Sequence, residues 1–400
     1  MSLSTSDTSQ SGSNSKLRIA AINTVFFPLS HADVILSRWL EPRETDPAWG
    51  WSDPQSVIAS IWIDQFPQND IGREFCKQNE IPLCATIEEA LTLHTNRLAV
   101  DGILIIGEHG EYPINTRGQK LYPRKEFFDE VIRIFKKYGQ TVPVFSDKQL
   151  SWNPAWALEM VRTAHRLDFP LVAGSTAPYC ETEGNLHISP DDTIVDALGV
   201  FCDGPETYGF HSLEFVQSIL QTRTGGEPGI RSITAYQGDQ IWAALTESIE
   251  ELLSAALKCA LHAKAGDYRE NCKASPIPPT LFSLEHFDGL RSYHLLLHGH
   301  VADFTMSLRL KNGEIRAGRA KMGGSDSFYG HFARLNSVLE TMFLSGHPPA
   351  TSDRVLLTTL TVAGFMEALL SPGEPIFPDL NMKKLSGLAS SNECLPPLLI

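Results

Sequence analysis

The chain has 400 residues, 42% of them hydrophobic and 20% charged, which is enough to bury a sizeable core over two domains without staples. Lys plus Arg is 33 against 47 for Asp plus Glu, a net charge of −14 with no basic block, which argues against nucleic acid and anionic membrane as partners. The 7 cysteines are scattered and form no Cys-x-x-Cys pair, and no apolar run reaches the length of a membrane span, so a cytoplasmic protein is expected.

Residues 1–16 are mostly Ser, Thr, Asp, Gln and Gly without the apolar stretch of a signal peptide, and are expected to be a disordered tail. Leu17 to Asn23 is an apolar strand, and Ser30 N-caps a helix to Leu40. Glu41 to Pro54 lacks periodicity and is expected to be a surface loop. Val57 to Asp64 is a second strand, Asp70 to Asn79 a helix, Ile81 to Cys84 a short strand and Ile87 to His94 a helix. Asp101 to Ile106 is a strand apolar enough to be buried on both faces, and it breaks abruptly into Glu108, His109, Glu111 and Tyr112. A helix over Glu126 to Tyr138, a strand over Val142 to Lys148, a helix opened by Asn153-Pro154 and a strand over Pro170 to Gly174 complete an alternating β-α pattern, the mark of a Rossmann-like doubly wound parallel sheet over residues 17–178.

Past Pro178 the pattern changes. Glu206 to Thr222 and Asp239 to His262 read as helices. Tyr293 to Leu310 and Glu314 to Lys321 read as long strands joined by the hairpin signal Asn312-Gly313, and Phe332 to Phe343 and Asp353 to Leu370 as closing helices. Residues 179–370 are therefore expected to be an α+β domain with an antiparallel sheet, for substrate binding or oligomerisation, and residues 371–400 a loose Pro-rich tail. Open parallel sheets bind ligands beyond the carboxyl ends of their strands, so Glu108 to Tyr112 and Lys148, each following an apolar strand, are candidate site residues. His211 and Glu214 share a helix face with Tyr208 one turn earlier, an arrangement suited to proton transfer or substrate recognition. His294, His298 and His300 have the parity of one strand face and are expected on its solvated side.

The order and spacing of these elements resemble the Gfo/Idh/MocA family of NAD(P)-dependent sugar and polyol dehydrogenases over roughly residues 17–370. Asp64 stands where the family holds the cofactor ribose. Ser146-Asp147-Lys148-Gln149 stands where the family has Glu-Lys-Pro, and Gly209 to Glu214 resembles the family's Gly-x-His-x-x-Asp helix. The resemblance implies Lys148, His211 and Tyr208 as catalytic residues, Asn23, Asp64, Glu108 and His109 beside an NAD or NADP cofactor, and Glu111, Tyr112 and Glu214 toward the substrate. It departs at the cofactor loop: Asn23, Val25 and Pro28 occupy the places of the three glycines of G-x-G-x-x-G. A β-branched side chain and a missing N–H at these places oppose ordinary diphosphate binding. Thr207 replaces the family's carboxylate four residues before the histidine.

The expectation is a divergent oxidoreductase of this type acting on a sugar, polyol or similar polar small molecule, and forming a homo-oligomer. One alternative is a non-redox lyase, isomerase or hydrolase on the same fold, with a divalent metal at His109, Glu111, His211 and Glu214; another is a non-catalytic sensor or assembly subunit. Assembly would use an apolar face of the strand carrying Phe304, Met306, Leu308 and Leu310.

Overall fold

The computed structural model describes residues 16–389; the expected N-terminal tail before Lys16 and residues 390–400 lie outside it. Strands β1 (Leu17–Asn23), β2 (Ser56–Ile63), β3 (Gly102–Ile106), β4 (Val144–Asp147) and β5 (Leu171–Gly174) form a parallel sheet in the order β2-β1-β3-β4-β5. They alternate with α1 (His31–Leu40), α2 (Gly72–Gln78), α3 (Ile87–Thr92), α4 (Arg124–Tyr138) and α5 (Pro154–Leu167). All five residues of β3 are buried, as its unbroken apolar run requires of a strand covered on both faces. The Ser30 hydroxyl accepts the Asp33 N–H, and the Asn153 side chain accepts those of Ala155 and Trp156; a cap of this kind contributes about 1 kcal/mol. The strand expected at Ile81 to Cys84 is only an isolated bridge between Leu83 and Ile61, since Pro82 has no N–H to extend a ladder.

The second half adds β6 (Thr182–Gly184), β7 (Ile194–Phe201), α6 (Thr207–Leu220), β8 (Gly229–Gln237), α7 (Gln240–Ala244), α8 (Glu247–Leu257), α9 (Tyr268–Lys273) and β9 (Thr280–His286). It continues with β10 (Arg291–Leu296), β11 (Thr305–Leu310), β12 (Ile315–Ala320), α10 (His331–Ser345), α11 (Ser352–Ala368), β13 (Leu380–Asn381) and α12 (Met382–Ala389). The sheet runs β13-β8-β9-β10-β7-β11-β12-β6 and is antiparallel apart from the β10·β7 pair.

The structure departs from several of these expectations. The single strand over Tyr293 to Leu310 is two strands with β7 between them, because the chain turns at Gly299 (φ +88°). The helix expected over Asp239 to His262 breaks at Leu245-Thr246, where both residues are extended, so α8 starts afresh. The stretch after Ser371 is ordered into β13, which pairs with β8, and α12, which packs on α5 and α11. His294 is buried against α6, paired with Ser212 at 2.5 Å, and not on a solvated face.

Helices α7 to α9 cover the outer face of the eight-stranded sheet, with Ile241, Leu252, Leu253 and Ala256 packed on Leu198, Val200, Leu281 and Leu295. The Ser307 hydroxyl donates to the Leu252 carbonyl, so β11 is buried on both faces and presents no open apolar face for assembly. Helix α10 returns to the first sheet, where Leu335, Leu339 and Met342 join Ile19, Val34 and Trp39 in one core. Among the described residues no helix is long and apolar enough to cross a membrane.

Candidate active site

Between the two sheets lies a cavity of about 360 Å³ lined by His31, His109, Lys148, Tyr208, His211 and His331 among others. Lys148 leaves β4 with φ +70°, a strained conformation for a side chain with a Cβ, while its N–H bonds to the Gly174 carbonyl at 2.9 Å. That geometry buries the lysine and sets its Nζ 2.5 Å from Nε2 of His211 on α6. Glu108 lies behind it, Oε1 3.7 Å from the Lys148 Nζ and Oε2 3.3 Å from Arg124 Nη2. Arg124 reaches across Gly107, whose carbonyl accepts its Nε–H at 2.9 Å; a Cβ at Gly107 would stand 2.6 Å from the arginine side chain. On another wall His31, the first residue of α1, donates Nδ1–H to the buried carboxylate of Asp147 at 2.6 Å.

Charge in this cavity is arranged by burial and pairing. Burial alone would raise Glu108, but Lys148, His31 and Arg124 hold its carboxyl down at about 2. Burial pushes His109 down to about 4 and His331 to about 3. His211 is driven well below the usual histidine range by burial and then by Lys148, so its neutral Nε2 accepts from the ammonium. Burial raises the Tyr208 phenol, which stays protonated as a donor.

The expected catalytic residues Lys148, His211 and Tyr208 thus meet in one cavity, with the Tyr208 and His211 rings 5.4 Å apart and Glu108 and His109 alongside. Others lie elsewhere. Glu214 is fully buried beneath the cavity floor, bonded to Arg354 and the Thr358 hydroxyl at 2.9 Å each and accepting the Ser175 N–H. Gly174 makes this approach feasible, since a Cβ there would lie 2.3 Å from the Glu214 carboxylate. Glu111 is exposed at the rim, and its backbone makes paired hydrogen bonds with the Gln65 side chain. With Glu214 tied to Arg354 the expected metal quartet is not assembled, and no group of three or more His, Cys, Asp or Glu with metal-holding geometry occurs among the described residues.

The family resemblance implies a dinucleotide over β1 and β2, and the residues there do not fit one. Leu29 N–H, at the entry of α1, donates to the Asp33 carboxylate at 2.8 Å, placing a negative charge where a diphosphate would need donors. Val25 is buried and packed toward Gly110 of the loop after β3. The Tyr112 hydroxyl bonds to Asp64 at 2.8 Å, occupying the carboxylate that would hold a ribose. Asn23 is fully buried, its amide donating to the Trp62 carbonyl at 3.3 Å.

Sequence reasoning missed the pairing of His31 with Asp147, and Arg124 and His331 as members of the site. Asp147 adjoins Lys148 and His31 opens a helix at the sheet's carboxyl edge, which was the available signal. Arg124 was findable as the cation that a carboxylate leaving a buried strand requires.

No protein-family model matches the chain, and no curated protein matches it. Solved structures do. GenD2 from gentamicin A biosynthesis, in complex with NAD, is 12% identical with a TM-score of 0.56 over 91% of this chain and 96% of its own. Myo-inositol 2-dehydrogenase from Lactobacillus plantarum is 12% identical with a TM-score of 0.54 over 90% and 99%. Biliverdin reductase from Synechocystis, with biliverdin and NADP+, is 11% identical with a TM-score of 0.53 over 90% and 99%. The chain therefore has the two-domain Gfo/Idh/MocA-type fold of these oxidoreductases.

Proposed function

We propose that the cavity is the active site of an enzyme that moves a proton at a hydroxyl or carbonyl oxygen of a sugar, polyol or similar polar small molecule. The observation that carries this is the 2.5 Å contact between Lys148 Nζ and a neutral His211 at the carboxyl end of β4. Glu108 stands behind the ammonium at 3.7 Å, so the lysine can give a proton to a substrate oxygen and, as the amine it then becomes, take one back. Tyr208, held protonated, donates to a second oxygen and orients the substrate. The oxidoreductases that share the fold support a hydroxylated or carbonyl substrate. A nicotinamide would supply hydride transfer, but the residues over β1 and β2 do not fit it.

Thermal unfolding with a panel of sugars, polyols and their keto derivatives tests this. A ligand at a hundred times its dissociation constant adds about 2.7 kcal/mol to stability. A shift that depends on Tyr208, and turnover of the same compound that is lost in Lys148→Met, are expected. A compound turned over at the wild-type rate by Lys148→Met would overturn the assignment.

A further inference from the structure

We propose that His31 is a second acid/base residue of the cavity and that the protein interconverts hydroxy carbonyl compounds by enolisation, without a dinucleotide. This deepens the assignment of Lys148 and His211 above and rests on it. Two observations carry it. The first is a second proton-handling pair: His31 lines the same cavity, and its Nδ1–H is committed to Asp147 at 2.6 Å, which leaves Nε2 as the ring nitrogen for a substrate. Asp147 is buried at the side chain, so it fixes the tautomer and stabilises the imidazolium formed when Nε2 takes a proton. The second is the crevice over β1 and β2, where Asp33, Tyr112 and Gln65 bond to groups of the chain itself at the places a diphosphate, a ribose and their neighbourhood would need, and Asn23 Oδ1 is left unpartnered among the described residues. The cavity still has polar capacity for a ligand, since Nδ1 of the buried His331 has no hydrogen-bond partner among the described residues.

A redox-neutral reaction needs a base for a carbon acid and an acid for the carbonyl oxygen, and the two pairs supply them. His31 Nε2 removes the proton from the carbon beside the carbonyl. The C–H electron pair becomes the C=C bond, and the C=O π pair forms an O–H bond with a proton from Lys148. The neighbouring hydroxyl of this enediol then returns its proton to Lys148, and the former carbonyl carbon takes the proton held on His31. The product is the isomeric hydroxy carbonyl compound, with no oxidant or reductant consumed. The substrate class is a small ketose or aldose.

The test is proton NMR in D2O with charcoal-treated protein and no added nucleotide, using dihydroxyacetone, D-fructose, D-tagatose and L-sorbose. Wild type is expected to replace the proton on the carbon beside the carbonyl by deuterium in at least one of them. His31→Gln should slow this by about 100-fold or more. Its thermal unfolding reports whether it is folded. Asp147→Asn, which keeps the hydrogen-bonding shape, is expected to lower kcat for exchange with KM and thermal unfolding unchanged, a split that a merely structural role would not produce. Exchange in His31→Gln at the wild-type rate, with Lys148→Met inactive, would overturn the role of His31 and leave the function proposed above standing. Exchange that is unchanged in both variants would overturn both proposals. Exchange that appears only after NAD+ or NADP+ is added, or no exchange with any of the four compounds, overturns the enolisation proposal, while thermal shifts with the sugar and polyol panel still decide the broader one.

Discussion

The carboxyl edge of the parallel sheet ends in two unlike regions. Over β1 and β2 most polar groups are matched by another from the chain, Leu29 N–H with Asp33, Asp64 with Tyr112 and Gln65 with Glu111, while the buried Asn23 Oδ1 has no partner among the described residues. Beyond β3 and β4, Lys148 and His31 line a cavity with Glu108, Arg124 and Asp147 paired behind them, and Nδ1 of the buried His331 on its wall has no partner among the described residues. The first region is largely closed by contacts within the chain, and the second encloses a cavity of about 360 Å³. The difference teaches that one sheet edge can hold two regions that differ in how far their polar groups are satisfied within the chain.

Breaking the scaffold beneath the hollow should have the largest effect. Glu214→Ala leaves Arg354 buried without its partner and should cost about 3–5 kcal/mol in urea unfolding. Glu214→Gln, which keeps the Thr358 hydrogen bond, should cost less. If either variant lost ligand binding with stability intact, Glu214 would belong to the hollow after all.

Acid should separate the two regions next. His109, His211 and His331 are neutral in the fold, with His109 at about 4 and His331 at about 3, and take up protons once unfolded. Below about pH 6.5 the unfolded chain therefore binds more protons, and stability falls as the pH drops, by up to about 4 kcal/mol per pH unit for the three together. Glu108, ionised in the fold down to about 2, steepens the loss once the pH passes below about 4.5. Denaturant melts from pH 7 to 4.5 measure the histidine loss and melts from pH 4.5 to 3 the Glu108 loss, and replacing His331 by Asn should flatten the slope of the first.

Lys148→Met should lower turnover of any substrate by about 10² to 10⁴ while the protein remains folded by circular dichroism. The smallest effect belongs to the filled region. Tyr112→Phe removes one hydrogen bond to Asp64 and should cost about 1 kcal/mol, with turnover unchanged. A Tyr112→Phe protein that lost activity with its stability unaltered would erase the distinction between the regions.

How much of this was legible in the sequence depended on the range of the interaction. The buried run at β3, the caps at Ser30 and Asn153 and the Asn312-Gly313 hairpin are local, because propensity, capping and turn chemistry act over a few residues. The lysine after β4 and the shared face of Tyr208, His211 and Glu214 were likewise readable from strand position and helical spacing. Spacing could not tell that His211 meets Lys148 while Glu214, three residues on, is claimed by Arg354, since the partners are 63 and 140 residues distant. Nor could alternation reveal that β7 separates β10 from β11, because period-two patterning reports which faces are covered and not which strand is the neighbour.

The sequence by itself determined the alternating β-α half, the apolar strands and the chemical types available at their ends. The tertiary structure alone decided that His31 lies against Asp147, 116 residues away, and that Tyr112 folds back onto Asp64. The reason is physical: local free energies of a kcal/mol or so select helices, strands and turns, whereas the pairing of buried polar groups follows from which distant elements the whole core brings into contact.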